Sequence, residues 1–102
     1  MTTLKAATDM LRATLAAVQA ERDQRLGLVD GPGGPECEWA AYERACMHDA
    51  VNAIRAERGL PPVPVDGIIR ADRLAAGHSD YSHKFAFYCA ELAEREDGEL
   101  PS

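Results

Sequence analysis

The chain has 102 residues, 46% of them apolar and 27% charged, with a formal net charge of −6. That length supports one domain with a core and excludes a catalytic domain beside a binding domain. Seventeen acidic against 11 basic residues exclude a broad nucleic-acid groove, which needs clustered cations, and disfavour an anionic membrane surface.

Eighteen of the apolar residues are Ala, and only six residues are aromatic. Such a core is thin, so its helices must approach closely or find a partner surface. Gly and Pro cluster at 27–35 and 59–64, with a further break at Gly77. Four helical segments lie between these breaks, at about 3–26, 35–58, 66–76 and 79–96. The fold expected is all-α, a single small bundle of three long helices and one short one.

In the first segment Leu4, Ala7, Thr8, Leu11, Leu15 and Val18 recur at steps of three and four, one face of a helix. Thr2 or Thr3 can cap its start, and Gly27 suits its end. The second segment opens on Pro35, a favoured first helical position, with Glu36 and Glu38 at the positive end of the dipole. Its stripe runs through Trp39, Tyr42, Cys46, Met47, Ala50, Val51, Ala53 and Ile54, and Gly59 stops it. The short third segment starts from Asp66 as N-cap and carries Ile68, Ile69 and Leu74. The fourth, capped by Ser79 or Asp80, carries Tyr81, Phe85, Tyr88, Cys89 and Leu92 on one stripe. Its last turns hold Glu91, Glu94, Glu96 and Asp97 against Arg95. Carboxylates oppose the dipole there, so fraying is expected from about Glu94, with a frayed acidic tail over 97–102. All six aromatics fall in segments two and four, which are therefore expected to form the core seam. Segment one would lie across them or pair with its own copy.

The densest polar cluster is Arg70, Arg73, His78, Ser79, His83 and Lys84, opposed by Asp72 and Asp80. A helix N-terminus flanked by cations is an anion site, so a small-anion pocket around Ser79 is one reading. Simple charge compensation at a helix end is the other. No metal or other cofactor is expected. Cys37, Cys46, Cys89, His48, His78 and His83 lack the paired spacing of a zinc site, and the thiols read as buried and free. Segments three and four also suit a helix-turn-helix, but the charge makes nucleic acid an unfavourable partner.

Off-stripe or loop apolar residues, Phe87 and Val29, together with Leu4 and Leu11 on segment one, are the interface candidates. A protein partner or self-association is the expected partnership. No run nears the ~18 apolar residues of a membrane span, and Lys5, Arg12 and Gln19 interrupt any leader-like stretch, so no membrane association and a cytoplasmic location are expected.

The stretch from Ala71 to Tyr81 and on through Lys84 to Leu92 resembles small helical proteins of actinobacteria and their phages. The excess of Arg over Lys and the Ala content suit the same origin. The resemblance covers about a fifth of the chain and implies no particular activity. The function expected is a non-enzymatic interaction module, such as a phage or mobile-element accessory protein. The alternatives are an anion-binding protein or minor enzyme built on the Arg70–Lys84 cluster, and a helix-turn-helix regulator.

Overall fold

The computed structural model describes the backbone of residues 3–26 and 34–100 and the side chains of residues 3–21 and 40–100. It holds four helices: α1 (Leu4–Leu26), α2 (Gly34–Glu57), α3 (Val65–Ala75) and α4 (Tyr81–Glu94). The architecture is an all-α bundle, and no strand occurs among the described residues.

Local chemistry accounts for most of the helix ends. The Thr3 hydroxyl accepts the Ala6 N–H at 3.1 Å, the expected cap of α1. Gly59, at φ +71°, ends α2. The Leu60 N–H reaches back to the Arg55 carbonyl at 2.8 Å and the Gly59 N–H to Ala56 at 3.1 Å, a Schellman closure. Two helix starts differ from expectation. α3 begins at Val65, directly after an extended Pro64, so Asp66 sits in its first turn instead of capping it. α4 begins at Tyr81, two residues late. Ser79 stays in the preceding turn, and Asp80 at the cap position makes no side-chain bond to the helix.

α4 is the hub. It packs on all three other helices, whereas α1 and α3 do not touch one another. Phe85, Cys89 and Leu92 are buried on it, and so are Ala86, Ala90 and Ala93. These alanines widen the buried surface of α4 without adding bulk. α1 lies against α4 and α2 and inserts Ala7, Leu11 and Leu15 into the core. This corrects two expectations. α4 packs more extensively on α1 than on α2. The aromatics do not form a seam, because Phe85 is fully buried while Tyr42 is exposed on α2. Trp39 lies outside the described side chains.

α4 ends at Glu94, where its helical order is expected to fail, but the acidic segment beyond it is docked at Leu100. Leu100 is 7% exposed and joins the core cluster. The reason is Arg55 of α2, which is 1% exposed. Its Nε donates to the Pro61 carbonyl at 2.6 Å, and its Nη1 donates to Leu92 at 2.9 Å and Arg95 at 2.6 Å. Leu92 and Arg95 carry carbonyls at the end of α4, which the helix itself leaves without donors. A guanidinium there satisfies them and also offsets the negative end of the dipole. Gly98 then turns the chain at φ +65°, with Val63 2.8 Å and Arg55 3.3 Å from where a Cβ would stand. The Asp97 carboxylate accepts the Glu99 N–H at 3.1 Å.

The loop from α2 to α3 is held from the same helix. The Asn52 amide accepts the Val63 N–H at 2.8 Å and donates to the Val63 carbonyl at 3.1 Å. His48 Nε2 lies 2.7 Å from that carbonyl. The same nitrogen lies 3.0 Å from Asn52 Nδ2, so His48, Asn52 and Val63 form one cluster.

Arg55→Met removes the donors from three carbonyls and is expected to cost about 3 kcal/mol. That corresponds to a fall in Tm on the order of 10 °C or more, measured by thermal circular dichroism. Gly98→Ala adds a Cβ at a left-handed φ against Val63 and is expected to cost about 1 kcal/mol or more. A Leu100 methyl signal by NMR should shift toward its random-coil position in both variants, and unchanged signals would refute the docked tail.

Candidate functional site

Among the described residues, a trough runs along the seam of α1 and α2. From α1 it is lined by Ala6, Met10, Leu11 and Thr14, and from α2 by Ala50, Ala53, Ile54 and Glu57. At one end it runs on to Arg58 and Leu60, past the end of α2, and to Glu94 and Glu96 at the end of α4. Two adjoining hollows, of about 990 and 400 Å³, share Met10 and Glu57.

The trough has a simple cause. Ala6, Met10 and Thr14 are spaced i, i+4, i+8 on α1, and Ala50, Ala53 and Glu57 follow i, i+3, i+7 on α2. Ala and Thr are too small to fill the space between two helix axes about 8–10 Å apart. The Thr14 hydroxyl is already engaged, donating to the Met10 carbonyl at 3.1 Å. Met10 is left 51% exposed, the most exposed large apolar side chain described. One signal in the sequence could have found it. Met10 stands off the Leu4–Val18 stripe, as Phe87 stands off the stripe of α4.

The expected interface residues lie elsewhere. Leu11 is 0% exposed, a core residue that reaches the trough only as its floor. This corrects its reading as surface, and the reason is that α1 is packed by α4 and α2 together. Leu4 is half-buried against the core. Phe87 is half-buried, edge-on to Tyr88 with ring centroids 5.9 Å apart, and the Lys84 ammonium sits 5.6 Å from its ring centre. Val29 lies outside the described residues.

The cationic cluster is divided among several environments. Arg70 and Arg73 line a shallow hollow on α3 with Asp66, Ile69 and Leu74. Their i, i+3 spacing brings them to one face, together with a carboxylate that competes for them. His78 Nε2 meets the Tyr88 hydroxyl at 3.3 Å. Lys84 lies over Phe87, and Ser79 and His83 are exposed. Asp72 is turned to the other side, where it accepts a hydrogen bond from the Tyr81 hydroxyl and meets Arg44 at 3.5 Å. Glu43 lies 3.5 Å from the same hydroxyl. This network ties α2, α3 and α4 together and is structural in geometry.

The nucleophile inventory is muted. Burial raises the Cys89 thiol far above its ordinary range, and the Asp72 charge raises it further. Burial likewise raises Tyr81, helped by its bond to Asp72. Among the described residues no three His, Cys, Asp or Glu side chains gather as a metal site would. No helix of the described residues is long and apolar enough to cross a membrane. Comparison with protein-family models, curated proteins and solved structures finds no match for this chain. The fold is that of a small all-α bundle.

Both raised groups stay neutral in the folded chain at alkaline pH values where they ionise once unfolded. Their contribution to stability is complete below the free thiol and phenol values, about 8.5 and 10, and is lost as pH rises through the higher folded values. Stability measured by urea unfolding is expected to decline from about pH 9 upward. Tyr81→Phe should flatten that decline while costing about 1 kcal/mol at pH 7. An identical alkaline slope in the variant would remove Tyr81 as a source.

Proposed function

We propose that this chain is a non-enzymatic protein-interaction module, and that the α1–α2 trough is where a helical segment of a partner protein docks. The observation that carries the reading is the exposed Met10 above an alanine floor, in a hollow open along its length. Exposed apolar ground of this kind marks interaction sites, and Met suits them because its side chain adapts to the occupant. A helix is the matching shape. The Ala6–Thr14 lip spans eight residues, about 12 Å of helix. A rod laid along two packed helices completes a three-helix contact. The buried thiol and the divided cation cluster lend no comparable support to catalysis or to one convergent anion pocket.

The test uses three helical peptides of about 14 residues that share one Leu/Ala face. They differ only in carrying Gln, Lys or Glu on the other face. At least one is expected to shift the Met10 methyl signal by NMR with a Kd below about 1 mM. Met10→Glu and Ala53→Glu should each weaken that binding tenfold or more. As exposed changes, they should alter stability by no more than about 0.5 kcal/mol. If all three peptides leave the Met10 methyl unmoved, the trough is not a docking site.

A further inference from the structure

The trough is not electrically uniform. Glu57, Glu94 and Glu96 line one end of it, where α2 and α4 both terminate. The C-terminus of α2 adds partial negative charge of the same sign, whereas the end of α4 is offset by Arg55. Glu91, Asp97 and Glu99 belong to the same chain segment, and Arg55 holds that segment against the bundle. Asp49 is exposed one turn before Ala53, on the line of α2 that continues to Glu57.

The opposing charges are fewer. Arg58 lines the same end, half-buried, with its Nη1 toward the Ala93 carbonyl at 3.5 Å. Arg55 is enclosed among carbonyls. Arg95 pairs with Asp97 at 3.4 Å. The N-terminus of α1 contributes a partial positive charge near Ala6. Lys5 pairs with Asp9 at 3.2 Å. Arg12 stands about 200° round α1 from Met10, away from the trough. Carboxylates remain in excess at the mouth.

We infer that the segment this trough accepts is a basic amphipathic helix, its apolar face on Met10 and the alanines and its Lys or Arg residues at the α2–α4 end. The inference rests on the docking reading above and adds the chemistry of the partner. An apolar floor supplies the contact area. The acidic mouth sets which helices enter and in which direction, as complementary charge does at interfaces. A second copy of this chain is a poor match. It brings another −6 of charge, and its cationic hollow at Arg70 and Arg73 is shared with Asp66.

The same three peptides, titrated against the intact chain, decide the matter. The Lys peptide is expected to bind at least tenfold more tightly than the Gln peptide, with the Glu peptide weakest. The spread should narrow as salt rises from about 50 to 500 mM, because exposed charges are screened. Glu57→Gln/Glu94→Gln/Glu96→Gln should level the series while Met10 still responds. Equal affinities for the Lys and Gln peptides, with Met10 shifting in both, would overturn the basic partner and leave the docking site standing. No Met10 response to any peptide would overturn both. Salt-sensitive shifts confined to residues 94–99 would reduce the effect to surface attraction and also overturn it. Sedimentation showing a dimer of the free chain that Met10→Glu dissolves would make a second copy the occupant, against the inference.

Discussion

The structure depends on one buried guanidinium. Arg55 stands on α2, yet its three donated bonds end on the α2–α3 loop and on the end of α4. A buried cation is costly unless all its surroundings are polar and well placed. Here the surroundings are carbonyl oxygens, including helix-terminal ones that need donors in any case. The charge of Arg55 therefore meets two needs with one side chain. It closes α4 and fixes the chain that follows. The acidic run after Glu94 would otherwise be a repelling tail. Anchored by Arg55 and by Leu100 it becomes a defined wall, which is what places Glu94 and Glu96 beside α1 and α2.

A second constraint is the scarcity of bulk. With 18 alanines and six aromatics, the bundle has volume enough for one well-filled layer around Phe85, Leu11, Leu15, Met47 and Ile68. α4 solves this by burying alanines on a broad face and letting its neighbours approach. The outer seam of α1 and α2 carries Ala, Thr, Glu57 and a single Met above the buried Leu11 and Ile54. The trough follows from the composition. Large side chains are placed where four helices need them, and the seam away from α4 is left shallow. The close packing of α1 is the physical reason Leu11 is core and Met10, one residue away, is surface. One residue on a helix is about 100° of rotation.

Among the polar residues, spacing along the chain was a partial guide to spacing in space. Arg70 and Arg73 share a helix face and do meet in one hollow. His78, Ser79, His83 and Lys84 lie in or after a turn whose direction the local sequence leaves open; His78 meets Tyr88 and Lys84 lies over Phe87, whereas Ser79 and His83 are exposed. Asp72, which reads in sequence as the counter-charge of that cluster, serves Tyr81 and Arg44 instead. Glu57 and Glu94 were unreadable as a pair. They are 37 residues apart and meet only because α2 and α4 end at the same side of the bundle.

Periodicity, caps and Gly and Pro punctuation determined four helices, the all-α class and the stop at Gly59, because these depend on backbone chemistry within a few residues. The acidic end of the chain and the thin apolar supply were likewise plain from composition. Only the tertiary structure decided that α1 is integral, that the tail is docked, and that acidic groups and alanines share one trough. Those outcomes turn on which faces of distant helices meet. That choice is made by Arg55 reaching across to the end of α4, and by the small residues that let α4 sit against every other helix.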